Sequence, residues 1–415
     1  MKYKRTRVLI CVFVFIFVFV FNSVFAGFAY WEIIFHVEPF QSLNNIENDG
    51  FSVETAKITG QSWTLPYVTA HSAILLDAQT GDILYERDAH QKRPPASTTK
   101  ILTAILAIEL ADLEEIATVS EKADRVGEST IYLNKGDKLK LGELVEGALI
   151  RSGNDACVAI AEQTAGSHDE FVRLMNLKAI SLGAYNSNFV NTNGLPANNH
   201  YSTAYDLAII ARYAMNNPIF SKIVAQKTTT ISFEVPPKSQ IATNTNKLLW
   251  IYPPADGVKT GTTNAAGKCL VASASKEGRR LICVVLNAPD RFGDAKRLLE
   301  WGFNETETVL FGKQGELITT YPGYGIPLIL QEDLRICIEK AKVKNLKAQI
   351  VLEKDLYPPF KAGDVLGNYN IMLGERVLKT VPLLAGENYV GSALNFSGAL
   401  NVVLEQVLDL LNKSR

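Results

Sequence analysis

Ser97 and Lys100, in the run Ser97-Thr98-Thr99-Lys100, are the first residues in this chain whose types and spacing supply nucleophilic chemistry. A serine hydroxyl is a weak nucleophile until a base takes its proton. A lysine can be that base only when neutral, and burial or a nearby cation disfavours its charged form. Three residues apart on a helix, the two side chains share a face. Alone, the pattern is more simply a helix cap followed by an exposed lysine. Two later segments shift that balance. Ser152-Gly153-Asn154 offers a hydroxyl that could relay a proton and an amide that could hold a substrate amide, although serine and asparagine are also favoured caps. Lys259-Thr260-Gly261 offers a cation and a hydroxyl for a carboxylate, and Lys259 is also the candidate cation near Lys100. If the segment is a strand edge, its backbone can pair with an extended peptide, and Gly261 has no side chain to block the approach.

The flanking sequence says how these groups are held. Pro94 and Pro95 disfavour helix before Ser97, whereas Ile101, Leu102, Ile105, Leu106, Ile108 and Leu110 are apolar almost all round. That pattern predicts a buried central helix with Ser97 at its first turn, where unpaired N–H groups favour negative charge. Ser152 and Asn154 lie between helical stretches at 141–150 and 156–161, so a short loop can aim both into one cleft. Ala255-Asp256-Gly257-Val258 reads as a turn into the strand that carries Lys259.

The chain resembles the serine-type D-Ala-D-Ala carboxypeptidases of the low-molecular-mass penicillin-binding proteins over about residues 66–390. Beyond the three motifs, the resemblance rests on Ser72–Ala78, Asn193-Gly194-Leu195-Pro196, His200–Ala208, Thr243–Leu249, Ala266–Ala274 and Leu298–Phe303. It implies that Ser97 attacks the carbonyl between two D-alanines, Lys100 accepts its proton, and Ser152 passes a proton to the leaving D-alanine. The N–H groups of Ser97 and Thr262 would form the oxyanion hole. Asn154 would position the acyl chain. Lys259, Thr260, Gly261 and an arginine would bind the terminal carboxylate. Position before Leu298 makes that arginine Arg291, with Arg279, Arg280 and Arg297 as alternatives because the segment 287–294 is short for the family. Asn191-Thr192-Asn193-Gly194 departs from the Asn-Pro-His-Gly common in relatives, which bears on loop geometry. No Glu lies between Ser181 and Tyr205, where a class A β-lactamase would carry the residue that activates its deacylating water. Penicillin should therefore inhibit rather than be rapidly hydrolysed. An endopeptidase or transpeptidase uses the same residues; a penicillin sensor without turnover would not need Lys100.

Lys2, Lys4, Arg5 and Arg7 precede an apolar run from Val8 to Phe21, followed by Ser23-Val24-Phe25-Ala26. This is a secretory signal pattern with cleavage expected after Ala26; an uncleaved anchor is the rival. Either one places the protein outside the cytoplasm. Lys plus Arg (42) balance Asp plus Glu (43), which argues against nucleic-acid binding. The cysteines have no metal-ligand spacing, so neither metal nor cofactor is expected. Cys269 and Cys283 fall on adjacent predicted strands, where a disulfide is possible, but buried thiols are the preferred reading.

The expected fold class is α+β: a β-lactamase/transpeptidase-like antiparallel sheet of five strands packed by helices, then a small all-β domain and a C-terminal amphipathic helix. The expected segments are a signal or anchor (1–26), a loosely ordered lead-in (27–65), a catalytic domain (66–304), a β-domain (305–390) and a helical tail (391–415). In the tail, Leu400, Val403, Leu404, Val407, Leu408 and Leu411 recur at helical spacing. A membrane surface is therefore an expected partner, beside peptidoglycan stem peptides and β-lactams.

Overall fold

The computed structural model describes residues 65–353 and 356–391. The predicted leader, all but the last residue of the lead-in, and the C-terminal amphipathic helix lie outside the described residues. Among these residues, no helix is long and apolar enough to cross a membrane.

Five strands form the central sheet: β1 (Ser72–Asp77), β2 (Ile83–Arg87), β7 (Ala255–Thr263), β8 (Gly267–Lys276) and β9 (Arg279–Leu286). Their order is β2-β1-β9-β8-β7, and every neighbouring pair is antiparallel. The sheet thus joins strands from before and after the helical segment and leaves β7 on an edge. Side chains alternate between its faces. Ile74, Leu76, Cys269, Val271, Ile282 and Val284 enter one buried cluster. Ala73, Leu75, Leu270, Ala272, Leu281, Cys283 and Val285 enter the other. The β8–β9 hairpin turns through Glu277 and Gly278, both with positive φ (53° and 78°), as a tight hairpin requires.

Helices cover both faces. Helix α1 (Lys100–Leu110) is buried from Lys100 to Ala107, and Leu110 emerges at its exposed end. It joins α2 (Leu141–Glu146), α3 (Asn154–Ala165), α4 (His168–Ser181), α5 (Ala204–Met215) and α6 (Pro218–Val224) around the first cluster. The second cluster is closed by Ala295, Leu298 and Leu299 of α7 (Arg291–Glu305). The predicted helical middle also carries two ribbons that the sequence reading missed. They pair β3 (Ile116–Thr118) with β4 (Lys138–Lys140), and β5 (Thr228–Phe233) with β6 (Lys238–Thr243). They are short, and their exposed positions mix polar residues with the isoleucines Ile116 and Ile241, so hydrophobic patterning gave little signal.

Beyond α7 the described residues are almost entirely β. β10 (Thr306–Gly312) pairs with β13 (Leu334–Glu339). The remaining strands are β11 (Leu317–Tyr321), β12 (Ile326–Leu330), β14 (Leu346–Leu352), β15 (Val365–Leu373) and β16 (Arg376–Ala385). They form a sheet in the order β11-β12-β16-β15-β14 around a separate core of Ile326, Leu328, Leu366, Ile371 and Val381. Polar bonds tie this region to the central sheet. Arg279 pairs with buried Asp77 (2.8 Å) and donates to the Thr306 carbonyl (2.9 Å), and the Cys337 N–H donates to Asp82 (2.6 Å).

All four described cysteines are free and buried. Cys269 and Cys283 cannot pair, because Cys283 lies opposite Ala272 and these two share a sheet face, whereas Cys269 is on the other. The preferred thiol reading holds.

Candidate active site

Ser97 lies in a 3-10 turn, Ala96–Thr99, that runs directly into α1. The turn is fixed from three sides. Thr99 Oγ1 donates to the Ala96 carbonyl (2.9 Å), and Thr98 Oγ1 to that of Pro95 (2.7 Å). Strand β7 crosses in front of it, so closely that a Cβ on Gly261 would stand 2.9 Å from Ser97 N and 3.1 Å from Pro95 O. Only glycine allows that approach. A third wall is the loop through Asn193 and Gly194. Gly194 has φ +86°, and a Cβ there would fall 1.8 Å from the Ala96 carbonyl oxygen.

Lys100 is fully buried. Its ammonium has three N–H donors and finds three acceptors: Ser97 Oγ (2.8 Å), Asn154 Oδ1 (2.7 Å) and the Asn193 carbonyl (2.7 Å). Loss of one proton leaves two donors for the amide and carbonyl oxygens, and a lone pair for the Ser97 hydroxyl proton. The same geometry therefore serves both protonation states. Burial lowers the Lys100 pKa to about 8, against smaller opposing effects of Cys157, Asp155 and Glu128. Lys259 and Lys100 interact as like charges, each disfavouring the charged form of the other. Lys259, only 1% exposed, is itself held well below the usual lysine range, first by burial and then by the charge of Lys100. Its single hydrogen bond goes to the Thr260 carbonyl (3.1 Å). Two donors of a charged Lys259 therefore lack acceptors among the described residues and could serve an incoming anion.

Ser152 ends a π-helical turn (Gly147–Arg151) in the left-handed region (φ 69°, ψ 32°), one residue before the cap of α3. Its side chain makes no hydrogen bond to any described residue and caps nothing. Asn154 already has protein partners. Its Oδ1 holds Lys100 and its Nδ2 donates to the Gly127 carbonyl (3.0 Å), so its amide supports the lysine before any substrate arrives. Asp155 lies beside it. Its buried carboxylate accepts the N–H groups of Ile131 (3.0 Å), Leu133 (3.1 Å) and Ala156 (2.8 Å), fixing the neighbouring loop.

On β7, Thr260 Oγ1 meets Thr245 Oγ1 (2.6 Å). Thr262 is exposed at the strand edge. Arg291, at the start of α7, reaches back across this strand: its Nη1 donates to Gly261 O (2.9 Å) and Thr262 Oγ1 (2.8 Å). Its Nε and Nη2 have no acceptor among the described residues. The alternatives are committed elsewhere. Arg279 pairs with Asp77, Arg280 with Asp256, and Arg297 with Asp290 and Asp294. Glutamine at Arg291 should thus raise KM for a peptide with a free C-terminal carboxylate by about tenfold to a hundredfold, as expected for a lost charge-assisted bidentate bond. It should have little effect on the C-terminal amide; equal losses on both peptides would count against this role.

The sequence reading gave no role to His200. Its Nδ1 accepts the Val190 N–H (3.1 Å), so the proton is on Nε2, which donates to Thr99 Oγ1 (3.0 Å). Burial lowers its pKa to about 4. The unfolded chain, with a histidine near 6.5, then binds the extra proton first as pH falls. The stabilisation is complete above about pH 6.5 and is lost progressively down to about pH 4, on the order of 3 kcal/mol. The melting temperature should fall over this window, and less steeply in His200→Gln; matching slopes would contradict this account.

Residues 59–290 match the family described as D-alanyl-D-alanine carboxypeptidase, and residues 307–390 match the penicillin-binding protein 5 C-terminal domain. The chain belongs to the D-alanyl-D-alanine carboxypeptidase family. It is 34% identical over 333 residues to D-alanyl-D-alanine carboxypeptidase DacF of Bacillus subtilis, covering 77% of this chain and 85% of that one. It is 35% identical over 355 residues to DacC of Escherichia coli, covering 80% and 88%. Among solved structures, penicillin-binding protein 5 of Haemophilus influenzae superposes with a TM-score of 0.72 at 31% identity, over 80% of this chain and 100% of that one. Family membership accounts for the shared order of central sheet, helical segment and following β region.

Proposed function

We propose that this chain is a serine D-alanyl-D-alanine carboxypeptidase that removes the terminal D-alanine from peptidoglycan stem peptides. The observation that carries this reading is the Lys100 ammonium bonded at once to Ser97 Oγ, Asn154 Oδ1 and the Asn193 carbonyl. In the neutral form Lys100 takes the Ser97 proton as Oγ attacks the carbonyl between the two D-alanines. The N–H groups of Ser97 and Thr262 receive the developing oxyanion; Ser97 is in the first turn, where N–H groups have no intrahelical acceptor. The terminal carboxylate lies against Lys259, Thr260, Gly261 and the free side of Arg291. Its charge restores the charged form of Lys259 that burial disfavours. Collapse of the intermediate breaks the C–N bond, and Ser152 delivers a proton to the leaving amine. Water then hydrolyses the acyl-enzyme and returns Ser97.

A β-lactam acylates the same serine. The loop between Ser181 and Tyr205 has no glutamate and instead supplies the Asn193 carbonyl to Lys100, which favours a long-lived penicilloyl enzyme. Residues 66–304 form the catalytic domain and 305–390 a β-domain that spaces it from a membrane surface. The leader carries the protein out of the cytoplasm, to the outer face of the membrane.

The test is D-alanine release from a peptide ending in D-Ala-D-Ala. Release that is blocked by prior penicillin is the expected result. A folded protein that binds penicillin yet releases no D-alanine would redirect the reading to endopeptidase, transpeptidase or sensor, and rapid penicillin turnover would contradict the inhibitor role.

A further inference from the structure

The turn Asn191-Thr192-Asn193-Gly194 carries Thr192 where relatives commonly have proline, so no ring fixes its backbone. Side-chain bonds hold it instead. Thr103, one turn after Lys100 on α1, donates to the Thr192 carbonyl (2.6 Å). Asn193 Oδ1 accepts the Leu195 N–H (3.0 Å). Asn191 grips the turn with both ends of its amide. Its Oδ1 accepts the Gly194 N–H (2.8 Å) and, at longer range, that of Asn193 (3.3 Å). Its Nδ2 donates to the Leu195 carbonyl (2.9 Å). The Thr192 hydroxyl, by contrast, is fully buried and makes no hydrogen bond among the described residues.

The Asn193 carbonyl and the Gly194 N–H are opposite ends of one peptide unit, and a peptide unit is planar. The carbonyl end accepts from Lys100 Nζ (2.7 Å), and the N–H end donates to Asn191 Oδ1 (2.8 Å). Rotation of the plane breaks both bonds. Such rotation meets least resistance beside a glycine, and Gly194 has φ +86°. A bond at the N–H end also polarises the unit and strengthens its carbonyl as an acceptor. Neutral Lys100 has two donors, and Asn154 Oδ1 takes one of them. With the Asn193 carbonyl turned away, a single fixed acceptor remains, and the lone pair is no longer held toward Ser97 Oγ.

We propose that Asn191 is a positioning residue for Lys100. It holds the N–H end of the Asn193–Gly194 peptide, so that the carbonyl end fixes the lysine nitrogen for proton transfer from Ser97. The inference rests on the reading of Lys100 as base and adds a residue that acts on it through one peptide plane.

The experiment measures penicillin acylation of the full-length protein against pH, for wild type, Asn191→Ala, Asn191→Asp and Thr192→Val. Labelling with a fluorescent penicillin, run to completion, counts the folded sites in each preparation. Well above pH 8 Lys100 is neutral, so the plateau rate per site reports alignment rather than proton affinity. Asn191→Ala should lower that plateau by about tenfold to a hundredfold, as misplacement of a reacting group does. Asn191→Asp keeps the acceptor for the Gly194 N–H and should recover most of the loss. Thr192→Val removes only an unpartnered hydroxyl and should match the wild type. A role in folding alone would reduce the number of sites and leave their rate unchanged. A wild-type plateau in Asn191→Ala, no recovery in Asn191→Asp, or an equal loss in Thr192→Val overturns the proposal. If Asn191→Ala leaves no labelled sites, Asn191→Leu, of similar volume, is judged by the same plateau. If the wild-type rate does not rise with pH, the base reading fails separately. The crystal structure of Asn191→Ala then decides: a rotated Asn193–Gly194 peptide with the Lys100–Ser97 bond lost supports the role of Asn191, and retention of both Lys100 bonds overturns it.

Discussion

Alanine at Ser97 is expected to abolish D-alanine release and covalent penicillin labelling together, with a fall in kcat of about a millionfold, as when an acyl-transfer nucleophile is removed. Arginine at Lys100 should be nearly as damaging. A guanidinium can supply donors toward Asn154 and the Asn193 carbonyl, but it does not lose a proton and so cannot act as base. The same argument fixes the pH dependence. Lys100 works when neutral, and burial places its pKa at about 8, so kcat/KM should rise as pH increases through about 8. A profile that is flat from pH 6 to 9, or an active Lys100→Arg enzyme, would sink the assignment of Lys100 as base. Circular dichroism of each variant separates lost chemistry from lost folding.

Gly194→Ala should be among the most damaging small substitutions in the chain. The added Cβ would lie 1.8 Å from Ala96 O, 2.3 Å from Ala96 C and 2.9 Å from Ser97 N, at a φ of +86°. These are backbone atoms of the nucleophile turn, held by Thr99 and crossed by β7, so they cannot swing aside as a flexible side chain would. Relief requires moving either Ser97 or the carbonyl of Asn193 that holds Lys100. A loss of on the order of 3 kcal/mol in stability is expected, with a drop in acylation rate beyond what the folded fraction explains. Gly166→Ala is the internal comparison. That glycine also has positive φ (+73°) but nothing within 4 Å of its would-be Cβ, so only the backbone preference is lost, about 1 kcal/mol. Comparable melting temperatures and acylation rates for the two variants would contradict the close-packing argument.

Three short motifs were legible because the chemistry constrains residue type and local spacing. Ser97 and Lys100 are one helical turn apart, so their meeting needed only the helix that the apolar run from Ile101 predicts. The central strands were legible because burial on both faces leaves apolar runs bounded by turns, as in β8 and β9. The β3–β4 and β5–β6 ribbons were not, because they lie at the surface and most of their side chains bury little.

Other parts of the site depend on contacts between distant segments. Sequence position favoured Arg291 but left three other arginines open; the fold committed those three to acidic partners and laid Arg291 against β7. Asn154 was read as a substrate ligand; its partners within the protein, Lys100 and Gly127, lie 54 and 27 residues away in the chain and were not legible. The Asn193 carbonyl and the proton chain from His200 through Thr99 to Ala96 left no motif, since a backbone carbonyl has no residue type and a buried histidine has many uses. Sequence by itself determined which groups could do the chemistry, because nucleophile, base and anion ligands are properties of side-chain type. Only the tertiary structure decided their protonation and partners, because burial, Coulomb interaction and hydrogen bonding depend on distances between residues far apart in the chain.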